Sequence, residues 1–386
     1  MEIKTKYGCI KIFAKTLEEE ALGQIIEMGN SPLGENSIIR IMPDAHAGKG
    51  CTIGTTMTIK DKICPNLVGV DIGCGVTLIK TDIDFSKNFN ELDNIIRKFI
   101  PYGASVHSTP KKYDFTKLKC WEHLSQRTKD LSGKSLGTLG GGNHFIEAYA
   151  DGYLSVHSGS RNIGYKVAEY YQNLAEKTCF ENLANKRKVE LLEIEKSKRA
   201  EWLKENQINI EKNLAYLEDE NMRNYLFDIK ILQKFADENR STILQKIVKE
   251  MNGKIIEKIN SIHNYIDISN MILRKGAISA TKDEQLVIPL NMKDGLLVCK
   301  GKGNEDWNYS APHGAGRLYS RSKAKETFSL EKYQKEMEGI FSTCISENTI
   351  DEAPFVYKDY KEIMECIEPS VEIMKRLLPI YNFKAN

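Results

Sequence analysis

The chain has 386 residues, with 55 Lys and Arg against 53 Asp and Glu for a formal net charge of +2. That balance excludes a uniformly charged coat for nucleic acid or membrane, although it leaves room for a local basic groove. With 41% hydrophobic, 9% aromatic and 28% charged residues, a buried core is attainable, disorder over the whole length is excluded, and the length fits two or three units or one large domain with an insertion.

Taken in chain order, the pattern predicts a helix over 16–28 and short β-branched strands over 38–42, 51–59, 67–70 and 76–81, separated by Gly-rich turns. A helix over 89–99 and a strand over 153–157 follow. From Tyr165 to Asn252 there is no Gly or Pro, although the chain holds 27 Gly and 10 Pro, and a run without breakers of that length predicts long helices. Inside it, KRKVELLEIEKSKRAEWLK alternates charges around an apolar stripe at Val189, Leu192, Trp202 and Leu203. The evenly interleaved acids favour a solvated face over an RNA grip. Strands over 285–289 and 296–299 and a helix over 330–340 complete an α+β body, read as one domain over 1–386 with a helical arm inserted at 165–252.

No stretch approaches the roughly 18 to 20 apolar residues of a membrane span, and MEIKTKYGCIKIFAK lacks the apolar core of a signal peptide, so a cytoplasmic protein is expected. Nine cysteines without a CxxC pair do not form a disulfide framework or a zinc finger. Of seven histidines, five stand in Gly-rich or polar loops: His46 in MPDAHAGKGCTIG, His144 in GTLGGGNHFIE, His157 in VHSGSRNIG, His263 in IHNYID and His313 in SAPHGAGRLYSR. Glycines beside a histidine let backbone and ligand approach closely. In VGVDIGCGV, Asp71 and Cys74 are three apart; a tight turn would face carboxylate and thiolate at one point, a donor pair suited to a divalent transition metal. A buried thiol and a turn-capping carboxylate explain the same residues equally well.

Phosphate-binding motifs of standard form are missing. The run SGKS at 132–135 ends like a P-loop, but residue 128 is Thr, and the Gly137 to Gly142 run fails GxGxxG at Phe145. The Gly-rich loop before Asn143 still offers backbone N–H groups, and Arg161 and Arg317 each follow a His by four residues, so that guanidinium and imidazole could address one phosphate. His313 lies between Pro312 and Gly314 to Gly316. That setting presents an imidazole able to attack phosphorus.

These strings resemble the RtcB RNA ligases, the shorter bacterial form in particular, from MPDAHAGKGCTIG through VGVDIGCG, LGGGNHFIE, VHSGSRNIG, HNYI, SAPHGAGRLYSR and DEAPFVYKDY to NFKAN. The resemblance spans nearly the whole chain in order. It implies an RtcB-like mixed-sheet body and an enzyme that joins RNA 2′,3′-cyclic phosphate or 3′-phosphate ends to 5′-hydroxyl ends, in RNA repair or tRNA splicing, with GTP and two Mn²⁺ ions. It further implies that His313 carries GMP, and that Asp71, Cys74, His144, His157 and His263 hold metal, with Cys74 bridging. Asn143 is implied at the phosphate, Glu147 and Lys384 near guanine, Ser310, Gly314, Ala315 and Gly316 at the nucleotide near His313, and Arg161 and Arg317 at phosphates. No membrane association and a monomer or weak dimer are expected. His46, with Asp44 and Lys49, is expected at the rim of the site, and His107 and His123 as structural residues. Two rivals remain: a two-metal phosphohydrolase, which would use the same ligands without a covalent histidine, and a non-catalytic RNA-binding protein.

Overall fold

The computed structural model describes residues 1–48 and 50–385, and they form an α+β body. Its centre is a five-stranded antiparallel sheet in the order Pro379–Lys384, Phe145–Tyr149, Tyr153–Ser158, Gly75–Thr81, Ile255–Ile262. Side chains alternate across a strand. Val76, Leu78, Phe145 and Tyr149 therefore face a three-stranded sheet (Gln285–Asn291, Gly295–Gly301, Val371–Leu377) and pack on its Val287, Leu296, Val298 and Leu377. Ile79, Ile146, Leu154 and Val156 point the other way, under Leu92 and Ile96 of helix Phe89–Phe99 and Ile243, Leu244 and Ile247 of helix Asp219–Glu250. Each fully buried aliphatic side chain contributes roughly 1.5–3 kcal/mol of transfer free energy, so both faces hold the sheet.

A six-stranded sheet runs Glu2–Thr5, Gly8–Ile12, Ile39–His46, Ile53–Thr58, Ile272–Lys275, Asn264–Asp267. Beside it, Ala277–Ser279 pairs with Ser310–Pro312 and so carries the chain into His313. The strand predicted over 67–70 is absent. Pro65 starts a 3-10 turn over Pro65–Leu67, Gly69 takes φ +100°, and the segment bends toward Asp71 instead of extending. The helix predicted over 330–340 stops at Glu336, and the one over 16–28 runs from Glu19 to Asn30.

Most of the Gly- and Pro-free run forms two long helices, Arg161–Glu193 and Asp219–Glu250, with a short helix Arg199–Glu205 between them. The second long helix carries three fully buried polar residues, Asp228, Asn239 and Arg240. The Arg240 guanidinium donates to Gly73 O at 2.8 Å, Ser158 O at 2.9 Å, Thr77 Oγ1 at 3.0 Å and Asn260 Oδ1 at 3.2 Å. Asn239 Oδ1 accepts from the backbone N–H of Gly137 and Thr138, while its amide donates to Thr138 O and Gly159 O. The carboxylate of Asp228 accepts from the N–H groups of Lys119 and Cys120 and from the Tyr171 hydroxyl. Leaving such buried backbone groups unpaired costs about 1–3 kcal/mol each, so this helix fixes the loops that present the histidines. No helix of the described residues is long and apolar enough to cross a membrane.

Candidate active site

The turn after Gly69 places Asp71 and Cys74 at the mouth of strand Gly75–Thr81, with Cys74 N–H donating to Asp71 O at 3.2 Å. His144 precedes strand Phe145–Tyr149, His157 ends the neighbouring strand, and His263 lies between strands Ile255–Ile262 and Asn264–Asp267. Strand pairing brings the five side chains into one row. Asp71 Oδ2 lies 3.2 Å from His144 Nε2, Cys74 Sγ lies 3.5 Å from His144 Nε2 and 3.2 Å from His157 Nε2, and His157 Nε2 lies 2.9 Å from His263 Nε2. The donors of Cys74, His144 and His157 all fall within 4.8 Å of one another, forming a buried cluster able to hold a metal ion.

The protonation states fit a cation. Burial pushes the imidazoles of His144, His157 and His263 below the ordinary histidine value, keeping them neutral, which is the ligating form. Burial by itself would raise the Asp71 carboxyl, but His144, Arg161 and Cys74 bring it below the usual range. Burial and then the charge of Asp71 hold the Cys74 thiol well above its ordinary value, so binding a cation there displaces a proton. The surroundings fix orientation. His157 Nδ1 is 3.0 Å from Asn143 O, and Asp71 Oδ1 accepts from Ser160 N–H at 2.9 Å. A Cβ on Gly159 would lie 2.2 Å from the Asp71 carboxylate, so only glycine admits the side chain. His263 Nδ1 is buried without a hydrogen-bond partner among the described residues.

The row ends at His313, whose ring centroid lies 4.8 Å from that of His263. Its Nδ1 is 2.7 Å from Oδ2 of Asp44, a carboxylate with no exposed surface, while the His313 side chain keeps 19% of its surface. Asp44 sits on strand Ile39–His46. Beside it the Lys358 ammonium donates to Pro43 O and Ala45 O, balancing its buried charge. A carboxylate accepting from Nδ1–H leaves the Nε2 lone pair unprotonated.

His157, His263 and His313 open into a cavity of about 720 Å³ whose wall also includes Asn143, Glu147 and Lys384. Lys384 Nζ pairs with Glu352 Oε2 at 2.8 Å, both buried. Burial would raise Glu352, but the charges of Lys384, Arg321 and Arg317 bring it down to about 2. Glu147, which accepts from the Tyr149 hydroxyl and the Asn382 amide, is pushed up to about 7 by burial.

A family model described as tRNA-splicing ligase RtcB matches residues 24–126 and 111–385. The RNA-splicing ligase RtcB of Escherichia coli strain K12 is 31% identical over 418 residues, covering 97% of each chain. RNA-splicing ligase RtcB1 of E. coli strain ATCC 25922 has the same identity and coverage, and the tRNA-splicing ligase RtcB of Aeropyrum pernix is 26% identical, covering 84% of this chain and 83% of its own. The chain belongs to the RtcB family.

Of the nucleotide and phosphate contacts that the RtcB resemblance implied, Asn143, Glu147, Gly314, Ala315, Gly316, Arg317 and Lys384 line the cavity with His313. Two do not. Ser310 is fully buried, accepting from Arg274 Nε and donating to Asn308 O, three residues short of His313. Arg161 lies at the opposite end of the histidine row, beside Asp71 and His144, in a second cavity. Arg317 is engaged with Glu352 and the carbonyls of Tyr319 and Asp351. His46 lines the first cavity with its Nδ1 at 2.9 Å from Asp44 O, and burial lowers it to about 4. Lys49 lies outside the described residues. His107 rests on Gly137 O and His123 stacks on Tyr170, both away from the row. Sequence reasoning left Asp44 without a role and overlooked Glu352. Both stand inside the quoted strings, MPDAH and DEAPFVYKDY, but no spacing connects either with its partner.

Proposed function

We propose that this chain joins RNA 2′,3′-cyclic phosphate or 3′-phosphate ends to 5′-hydroxyl ends, consuming GTP through a histidine-linked guanylate with two Mn²⁺ ions at the Asp71, Cys74, His144, His157 and His263 row. The observation that carries the reading is the 2.7 Å pair between His313 Nδ1 and Asp44, with His313 lining the cavity that the candidate ligands His157 and His263 also line. The RtcB names of the relatives are consistent with RNA joining. Bound cations would neutralise phosphoryl oxygens and hold them in line, the main requirement of phosphoryl and nucleotidyl transfer.

In the first step His313 Nε2 bonds to the α-phosphorus of GTP and the bond to the β-phosphate oxygen breaks, releasing pyrophosphate. Asp44 holds the ring in the reactive tautomer and stabilises the charge it gains. A 2′,3′-cyclic phosphate end first adds water, breaking its P–O2′ bond to leave a 3′-phosphate and a 2′-hydroxyl; the RNA 3′-phosphate oxygen then takes the guanylate, breaking the N–P bond and restoring the imidazole. Finally the 5′-oxygen bonds to the terminal phosphorus, GMP leaves with the P–O electron pair, and the hydroxyl proton is released. Lys384 and Asn143 lie where they can meet phosphate or base, and Glu147 where it can accept from a guanine N–H.

Incubation with α-labelled GTP and Mn²⁺ tests this. Acid-labile, alkali-stable label should appear on the wild type and be absent from His313→Ala; label persisting on the variant refutes the mechanism. A hydrolase using the same ligands would release phosphate and carry no label.

A further inference from the structure

Outside the candidate ligand row, one contact joins two reactive side chains in the interior. Cys51, in the loop that leads into strand Ile53–Thr58, and Lys275, the last residue of strand Ile272–Lys275, are both buried. Lys275 Nζ lies 2.7 Å from Cys51 Sγ and 3.0 Å from Asn66 O. A second contact of the same sulfur, to Asn66 O, is 3.3 Å, so nitrogen and sulfur stand closer than an ordinary hydrogen bond to a thiol. The mechanism above uses neither residue. We propose that Cys51 and Lys275 are a modification site, at which hydrogen peroxide joins sulfur to nitrogen in a sulfenamide cross-link that slows the chemistry at His313. The cross-link stands on the pair itself, and its effect on the site rests on the ligase reading above.

The chemistry balances with one peroxide. The Cys51 sulfur bonds to one peroxide oxygen as the O–O bond breaks, leaving a sulfenic acid and water. The Lys275 nitrogen then bonds to that sulfur as the S–O bond breaks, and the hydroxyl leaves as a second water with a proton from nitrogen. Sulfur gives up two electrons and peroxide takes two. Condensation with a nitrogen held against it is a known fate of a sulfenic acid, and the 2.7 Å separation is inside the roughly 3–3.5 Å of a near-attack pair. Cys64 is the rival partner. Burial, and after it the nearby Cys51, push the Cys64 thiol up to about 12, and its Sγ donates to Asn213 O at 3.3 Å. That thiol stays protonated and turned to another acceptor, which leaves the lysine as the attacking group.

The pair sits directly behind the active site. Lys275 is followed by Gly276, whose N–H donates to His263 O at 2.7 Å. A Cβ on Gly276 would lie 2.2 Å from Ile53 Cγ2 and 3.2 Å from His313 Cε1, so this backbone fills the space between the Cys51 segment and the His313 ring with nothing to spare. Closing the contact into a bond draws Lys275 toward Cys51 by about 1 Å, a displacement that costs on the order of 10²-fold in rate when it reaches a reacting group. It also takes the lysine from Asn66 O, in the turn Pro65–Leu67 that leads to Asp71. Gly48 and Gly50, half-buried in the loop beside Cys51, give a small oxidant its approach.

The test is peptide mass spectrometry on the native wild type. After treatment with hydrogen peroxide, alkylation and tryptic digestion, peptides 50–60 and 275–282 should appear joined through Cys51 and Lys275, two hydrogens lighter than their sum, and dithiothreitol before alkylation should release them. Cys51→Ser and Lys275→Arg should give no joined peptides. Cys51 joined to Cys64, or carried on to sulfinic or sulfonic acid with trypsin still cleaving after Lys275, would overturn the cross-link. The wild type answers this by itself, so a variant that fails to fold leaves the result standing. For the effect on the site, transfer of label from α-labelled GTP is timed before and after peroxide. The wild type should lose roughly 10- to 100-fold more rate than Cys51→Ser, whose own loss reports oxidation of Cys74. Equal losses would overturn the effect on the site. Untreated protein that takes no label would refute the ligase mechanism instead, with the joined peptides still deciding the cross-link.

Discussion

Replacing Asp44 with Asn changes one oxygen for an amide nitrogen at a position with no exposed surface. Of the two carboxylate oxygens, Oδ2 meets His313 Nδ1 at 2.7 Å and Oδ1 is buried without a hydrogen-bond partner among the described residues. An Asn that kept its carbonyl toward His313 would leave its NH₂ at the Oδ1 position with no acceptor, at a cost of about 1–3 kcal/mol. The amide therefore turns its NH₂ to Nδ1, which must then accept, and the ring proton moves to Nε2. The nucleophilic lone pair is lost in that tautomer. Loss of the charge-assisted bond alone, about 1.5–3 kcal/mol, corresponds to roughly 10- to 100-fold in rate, and the wrong tautomer takes the expected loss to about 10²–10⁴-fold, the scale seen when a catalytic imidazole loses its carboxylate partner. Rapid-quench measurement of label transfer from α-labelled GTP to the protein reads this directly, with metal content as the control because Asp44 is outside the candidate ligand row. A rate within threefold of wild type would refute the argument that Asp44 sets the reactive tautomer.

Two further outcomes follow from the same geometry. Cys74 Sγ lies within 3.5 Å of both His144 Nε2 and His157 Nε2, so Cys74→Ala should lower Mn²⁺ bound per chain at both positions, measured by elemental analysis after dialysis; loss of one equivalent alone would make the thiolate a terminal ligand. Glu352, held at about 2 against its ordinary 4.5 mainly by Lys384, Arg321 and Arg317 in the face of burial, is a carboxyl with a depressed folded value. Its contribution is therefore complete above about pH 4.5 and disappears as pH falls through 2, roughly 3 kcal/mol in all. The stability gap between wild type and Glu352→Gln, from urea midpoints, should narrow by about that amount between pH 6 and pH 2; a constant gap would show that Glu352 stabilises by packing alone.

The local half of this protein is legible in its sequence. Helix Phe89–Phe99 has the bounds its periodicity predicts, the breaker-free run becomes two long helices, and glycines near His46, His157 and His313 mark segments that reach the cavity. These signals are local because breakers, periodicity and turn chemistry act over a few residues. The arrangement of the site is not local. Asp44 and His313 are 269 residues apart and meet only because strand Ile39–His46 lies next to strand Ser310–Pro312 in the folded body. Arg161 and Arg317 stand at the same spacing from a histidine, yet they fall at opposite ends of the row, since their direction depends on a left-handed φ at one and on buried carboxylates at the other. Asn239 and Arg240 are two polar residues of the breaker-free run to which the sequence assigns no role, yet they are wholly buried and hold the loops beside the candidate ligands. A polar residue inside a core is recognisable only once its partners are in place, and those partners come from strands and turns that long-range pairing alone brings together.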